Sequence, residues 1–381
     1  MRKGIVLAGD AQAAEAWRAA ADRAGLEAVV APADLLPQSI KDTAVASEAQ
    51  GIFAVTPDAY VPATQAAQAL HRPAPAAEWL TADAAIQLRQ TWHEAGLPVN
   101  AWRAATDEQQ ACEAAQKLGL PVWLRESDLF DGAVRYRVDT PDELALGLKR
   151  ARHGSPDRPV LVEAAARGAW CRLFGFKAGR EFRPFEIVSE YHDEAPFLVP
   201  CGLAVPAAIT SAQYKVVVDI ARKAARHLPS GHGLVSLGFL IDGPTVQLAG
   251  LQVHTQVPPA AARLFEQAFG MDLYADALRV AAGDMAEAAG NRYLGAALRW
   301  IETTSGVFEG VQGEAAAEAV PHVREVRLNA APGSVIGHVT SDAARAAVGH
   351  VLAVAPTRDG ALEAVETASA KLTVSVQPVA S

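Results

Sequence analysis

The sequence is poor in cysteine, aromatic residues and charge, and each shortage narrows what the chain can be. Three cysteines, Cys112, Cys171 and Cys201, stand far apart with no CxxC pair. Neither a disulfide framework nor a zinc module is expected, and a reducing compartment follows. Charged residues make up 20% of the chain and aromatics 6%, against 50% hydrophobic residues. That balance belongs to a folded α/β protein and excludes disordered and fibrous classes. The formal net charge of −9 offers no basic stripe to neutralise phosphates, which argues against nucleic acid as a partner. No apolar run approaches the roughly 20 residues that cross a bilayer, so no membrane segment is expected. GIVLA, after Met1-Arg2-Lys3, is only strand-length and ends near Asp10. It reads as the first strand of a cytoplasmic protein and not as a signal peptide.

What is present is a regular alternation of strands and helices over 381 residues, enough for two or three closely joined subdomains. Strands at 4–8 and 27–31 flank an alanine-rich helix at 11–24, a βαβ opening. Its first turn holds only Gly9 where a dinucleotide site needs GxGxxG, so no nicotinamide or flavin site is expected there. A third strand at 51–56 and helices at 61–70 and 81–95 follow, the last stopped by Gly96-Leu97-Pro98. Thr106-Asp107-Glu108-Gln109 predicts a capping box, and Thr140-Pro141 predicts a second helix start with proline in the first turn. With strands at 121–125, 133–138 and 160–163, residues 104–163 spell helix, strand, strand, helix, strand. Two strands are predicted around Gly179, then a helix at 213–227 with a basic last turn. Residues 231–256 read as two apolar strands, 234–241 and 245–251, joined at Asp242-Gly243-Pro244, because Asp-Gly supplies the positive φ of a tight turn. Helices at 260–269 and 273–282, strands at 293–301, 323–328 and 348–354, and a helix at 357–372 complete the chain.

In order along the chain, GIFAVTPDAYVPATQAAQALH, LRQTWHEAGLPVN, KLGLPVWLR, RVDTPDELALGLKRA, VLVEAAARG and FGMDLYADALRVAAGD resemble segments of the ATP-grasp superfamily. Biotin carboxylase, the large chain of carbamoyl phosphate synthetase and above all the L-amino acid ligases are the nearest in look. PGSVIGHVTSDAARAAVGHVLAVAPTRDGALEAVETA is similar to the C-terminal region of the amino-acid ligases. The resemblance implies an α/β and α+β chain: a Rossmann-like domain at 1–103, a lid at 104–165, a core lobe at 166–290 and an antiparallel C-terminal region at 291–381. In that family two lobes grip ATP, a lysine touches the phosphates, and carboxylates on a hairpin hold magnesium. The γ-phosphoryl passes to a carboxylate, and an amine attacks the acyl phosphate. Magnesium needs hard oxygen ligands, and the triphosphate needs cations to screen it.

Carried over position by position, the resemblance places the family's first-helix lysine at Ala85, with Arg89 following it. The strand lysine falls on Arg125, a bulkier fork in place of a compact ammonium. The glycine-rich flap becomes SDLFDGAVRY, with one glycine, Gly132, and two acids, Asp128 and Asp131. Glu163 matches the first glutamate of the family's pair, but Ala164 replaces the second and Trp170 a later acid. The magnesium carboxylates fall near Ser236 and Leu248, and the family's Asn-Pro-Arg near Gly250-Leu251-Gln252. Between Glu194 and Glu266 the only acids are Asp219, on a predicted helix, and the turn residue Asp242.

The commoner readings of these residues stand beside the functional ones. Arg125 reads as a phosphate contact or as a strand-end arginine in a surface ion pair, the commoner case, and Glu163 likewise. His232 and His254 bracket the hairpin and lack a third ligand for a metal. Ser236 narrowly misses a nucleophile elbow, since Leu234 replaces the first glycine, and reads as a satisfied strand serine. Cys171 and Cys201 read as inert packing. Trp123 and Trp170 lie near the nucleotide cleft on the family reading and either fill it or pack the core. The expectation is a pseudo-ligase with no catalytic or metal residues and no cofactor, whose vestigial nucleotide cleft keeps Arg89, Arg125 and Glu163. It would act in binding, scaffolding or regulation, with a second copy or an active ATP-grasp homologue as partner. The first alternative is an active carboxylate–amine ligase using ATP and magnesium. The second is a binding protein in which Ser236, Gln252, His254, Arg183 or Arg263 meets a small amino-acid-like ligand.

Overall fold

Asp242 and Gly243 turn the chain between strands Gly233–Asp242 and Thr245–Val253, with Asp242 opposite Thr245 and Gly243 at φ +54°. The hairpin is therefore where the Asp-Gly signal puts it. It forms one edge of an eight-stranded antiparallel sheet, continuing through Ala169–Ala178, Glu181–His192, Pro200–Val205, Gly295–Trp300, Gly349–Ala355 and Val323–Leu328. The computed structural model describes residues 2–129, 135–152, 157–193, 196–288, 290–339 and 342–378. Strand Pro200–Val205 was not expected from the sequence, yet it joins the core strands to Gly295–Trp300. It is buried along its whole length, so it lacks the polar alternation that marks a half-exposed strand.

Helices Ala84–Glu94 and Ser211–Arg226 cover one face of this sheet. Pro259–Phe269 and Leu273–Ala281 cover the other. The expected basic helix starts at a full capping box between Thr210 and Gln213. At the N-terminus a three-stranded parallel sheet runs in the order Leu26–Val30, Lys3–Ala8, Gly51–Ala54. Ile5 and Leu7 point to one core cluster and Val6 and Ala8 to the other, so its middle strand is buried on both faces, as parallel strands usually are. Gly9 is confined for a packing reason: a Cβ there would sit 2.5 Å from the Val55 side chain.

The lid is a four-stranded antiparallel sheet, Trp102–Ala105, Val160–Ala164, Val122–Glu126, Arg135–Val138, backed by helices Glu108–Leu118 and Leu144–Ala151. Two helix starts differ from expectation. Asp107, not Thr106, caps Glu108–Leu118 by accepting from the Gln110 amide at 2.8 Å, and Gln110 accepts from the Thr106 amide at 3.1 Å. The cap sits one residue later than predicted, because Asp is a stronger cap than Thr, and the return bond from Gln110 goes to the residue before the cap, so no reciprocal box forms. Thr140 makes no side-chain cap; a short 3-10 turn, Pro141–Glu143, precedes the helix, and Glu143 accepts from the Asp139 amide at 2.8 Å. Edge strand Trp102–Ala105 was also unexpected. A second three-stranded sheet, Val335–Ile336, Gly306–Gln312, Thr373–Gln377, and helix Arg358–Ser369 complete the C-terminal part. Among the described residues no helix is long and apolar enough to cross a membrane.

Candidate functional site

Period-two alternation builds the roof of a cleft between lid and hairpin. Val122, Leu124, Val138 and Val162 go to the helices of the lid, which turns Trp123, Arg125, Arg135 and Glu163 to the opposite face. Arg89 arrives from the helix below. Ala85, Leu88, Arg89 and Trp92 share one helical face, so the spacing that buries the apolar three also buries the arginine. The floor is the sheet face bearing Ser236 opposite Gln252, Gly238 opposite Gly250, and Arg172 beside Gly238.

Glu163 is the centre of the roof. Its carboxylate accepts from Arg89 Nη2 and lies 3.7 Å from Arg135 Nε. Arg89 also donates to the Ala249 carbonyl, and Arg125 donates to the Asp128 carbonyl at 3.1 Å. Burial alone would raise the Glu163 pKa, but Arg89, Arg135 and Arg125 hold it below the usual carboxylate range. Burial pushes Arg135 down to about 10, against the pull of Glu163, and its guanidinium lies over the Trp170 ring at 5.2 Å. On the floor Arg172 donates to Glu190, whose carboxyl burial would raise and Arg172 and His192 bring below its ordinary value. His192 is driven down to about 4 by burial, against Glu190. His254 Nε2 and Ser236 Oγ are 2.8 Å apart, and Arg172 Nη1 reaches the same oxygen at 3.5 Å. Among the described residues the cleft thus gathers four guanidiniums and two carboxylates. The Nε atoms of Arg89 and Arg125 are buried with no hydrogen-bond partner.

Several expectations need correcting. Arg125 and Glu163 are not surface residues; each is 3% exposed, because the lid's cleft face is closed over by the hairpin. Leu248 does not face the cleft but lies in the apolar cluster beneath the sheet, opposite Phe239; a bulge at Gly238/Phe239 brings Gly250, not Leu248, to the cleft side. Of the five pocket candidates, Ser236, Gln252 and His254 come together. Arg183 instead donates to the Ala286 carbonyl at 2.7 Å, and Arg263 is held by Glu325 and Glu266 at 2.8 and 2.7 Å. Asp131 and Gly132 lie outside the described residues. Cys171 and Cys201 are buried and pushed up to about 11 and about 12, chiefly by burial, which suits inert packing. Arg135, Arg172 and Glu190 were missed. Their signal was a lone charge inside an apolar strand, as in AWCRLFGF and IVSEYH, where a buried partner is required.

Around the hairpin the described residues offer guanidiniums rather than the oxygen ligands magnesium takes. A Cβ at Gly250 would lie 3.2 Å from Arg125 Nη1, 3.5 Å from Arg89 Nη2 and 3.9 Å from Arg135 Nη2. Three guanidiniums thus crowd the hairpin where a cation would need oxygen ligands. Among the described residues no group of three or more His, Cys, Asp or Glu is placed to hold a metal.

The whole architecture has relatives of known structure. The L-amino acid ligase of Bacillus licheniformis superposes with a TM-score of 0.76 at 14% identity, over 99% of each chain. Biotin carboxylase of Campylobacter jejuni superposes with a TM-score of 0.69 at 15% identity, over 99% of this chain and 93% of that one. The chain has the ATP-grasp fold. Residues 299–377 of this ATP-grasp chain match the family described as L-amino acid ligase C-terminal domain 2. The uncharacterized protein y4rH of Sinorhizobium fredii is 28% identical over 300 residues, 76% of this chain. The chain spans about 60% of the length of that relative.

Proposed function

We propose that this ligase-like ATP-grasp chain does not run magnesium–nucleotide ligation in the lid–hairpin cleft and works instead as a binding or regulatory subunit. The observation that carries the reading is the cluster of Arg89, Arg125 and Arg135 over Gly250. A divalent cation beside three guanidiniums meets strong repulsion in a low-dielectric site. Without it the developing charge of an acyl phosphate has no metal to neutralise it. The natural companion of such a subunit is a second copy of the chain or an active ligase of the same fold.

A second reading is favoured by the match at residues 299–377: an active ATP-dependent carboxylate–amine ligase whose acids come from the lid flap. Calorimetric titration of the full chain with ATP, with and without magnesium, separates the two. The first reading expects no magnesium-dependent heat and no phosphate release when amino acids are added. Magnesium-dependent binding with phosphate release would sink it.

A further inference from the structure

Behind the cleft, where the N-terminal sheet meets the hairpin, lies a partly open pocket of about 50 Å³. Its walls come from strand Gly51–Ala54, the helices Tyr60–Ala69 and Leu273–Ala281, and the start and end of the hairpin. Most of the lining is aliphatic, and Ala63 and Ala67 leave the room that larger side chains on their helix would fill. Polar side chains in the lining are Tyr60, Thr64, His232, His254, Thr255 and Gln256, and no Asp, Glu, Lys or Arg lines the space. Gln256 is already committed, donating to the Val55 carbonyl. The imidazole of His232 is held below its ordinary pKa by burial, so it stays neutral near pH 7.

We infer that this pocket is a binding site for a small uncharged molecule, a short apolar body carrying one amide or hydroxyl, and that His254 couples it to the cleft. The charge follows from the lining, since an ion buried with no counter-charge costs several kcal/mol. The size follows from the volume: a water needs about 10–15 Å³ by this kind of measure, and a cavity of about 150 Å³ takes benzene. A ligand of roughly three to five heavy atoms is therefore the scale. Coupling follows from geometry. His254 lines the pocket and is 2.8 Å from Ser236 Oγ, which is 3.5 Å from Arg172 Nη1 on the cleft floor. A guest that draws the His254 ring changes the hydrogen bond beside the guanidinium cluster.

The test is a titration of the full, uniformly ¹⁵N-labelled chain by propanamide and by 2-propanol, read by NMR of the histidine ring nitrogens and the arginine side chains. Saturable shifts of both His232 and His254 are expected. Ala67→Leu, which fills the space, should abolish them. Thr64→Val, equal in shape, should weaken binding about 2- to 10-fold, the loss of one hydrogen bond, and it keeps the test open should Ala67→Leu fail to fold. Ser236→Ala should leave binding intact and remove only the response of Arg172 side-chain resonances. Linear, unsaturable shifts would mean a pocket that holds water only, and saturable shifts that survive Ala67→Leu would place the site elsewhere. Either overturns the assignment.

Discussion

Glu163 and Glu186 are the same group on strands of two different sheets, the first buried and the second half-buried, and their surroundings treat them in opposite ways. Glu163 lies among Arg89, Arg135 and Arg125 and is held below the usual carboxylate range. Among the described residues no cation lowers Glu186; burial pushes it up to about 7, and the Ile187 amide, donating at 2.8 Å, lowers it again. Burial penalises both carboxylates, so the arginines make the difference. Of these two carboxylates, the one in the cleft is held by cations and the other is not.

The sharpest way to break that comparison is Glu163→Gln. Removing one partner strands the guanidiniums without a counter-charge, and a loss of roughly 3–5 kcal/mol is expected in urea unfolding at pH 7. A loss below about 1 kcal/mol would show that the arginines are satisfied some other way. Glu186→Gln should do the reverse. At pH 8 the folded protein must ionise a disfavoured carboxyl, so the amide should stabilise by ~1–3 kcal/mol.

The pH profile carries the same contrast. The raised Glu186 pKa contributes stability that is fully present below the unfolded value near 4.5 and is lost as pH rises to about 7. The depressed Glu163 pKa contributes stability present above the unfolded value and lost as pH falls below it. His192, depressed to about 4, loses its contribution as pH falls from about 6.5 towards 4. Between pH 4.5 and 6.5 the Glu186 and His192 slopes oppose each other in the native chain. In Glu186→Gln the remaining slope should be upward with pH, measurable as a rising denaturation midpoint; a flat profile would contradict the assignment to His192. The smallest effect is expected at Trp170→Leu, which removes the ring under Arg135 and should cost about 1 kcal/mol or less.

Much of the fold was legible residue by residue. Asp242-Gly243 announced the hairpin, the basic last turn marked the helix that follows residue 210, and the alanine-rich opening read as βαβ, because each signal lies within a few residues of the structure it forms. The shortage of acids between Glu194 and Glu266 was equally plain, and it carries over to the hairpin's cleft face. Less visible was the strand Pro200–Val205, whose partner Gly295–Trp300 lies far along the chain, and the bulge that turns Gly250 rather than Leu248 to the cleft.

By itself the sequence determined the hairpin, the βαβ opening and the shortage of acids on the hairpin, all consequences of local backbone preference and composition. Only the tertiary structure decided that Arg89, Arg125, Arg135 and Glu163 meet, and that three guanidiniums stand over Gly250. The reason is that a charge's energy depends on how much water it has lost and which charges surround it. Both are set by segments distant in sequence that become neighbours when the sheets close.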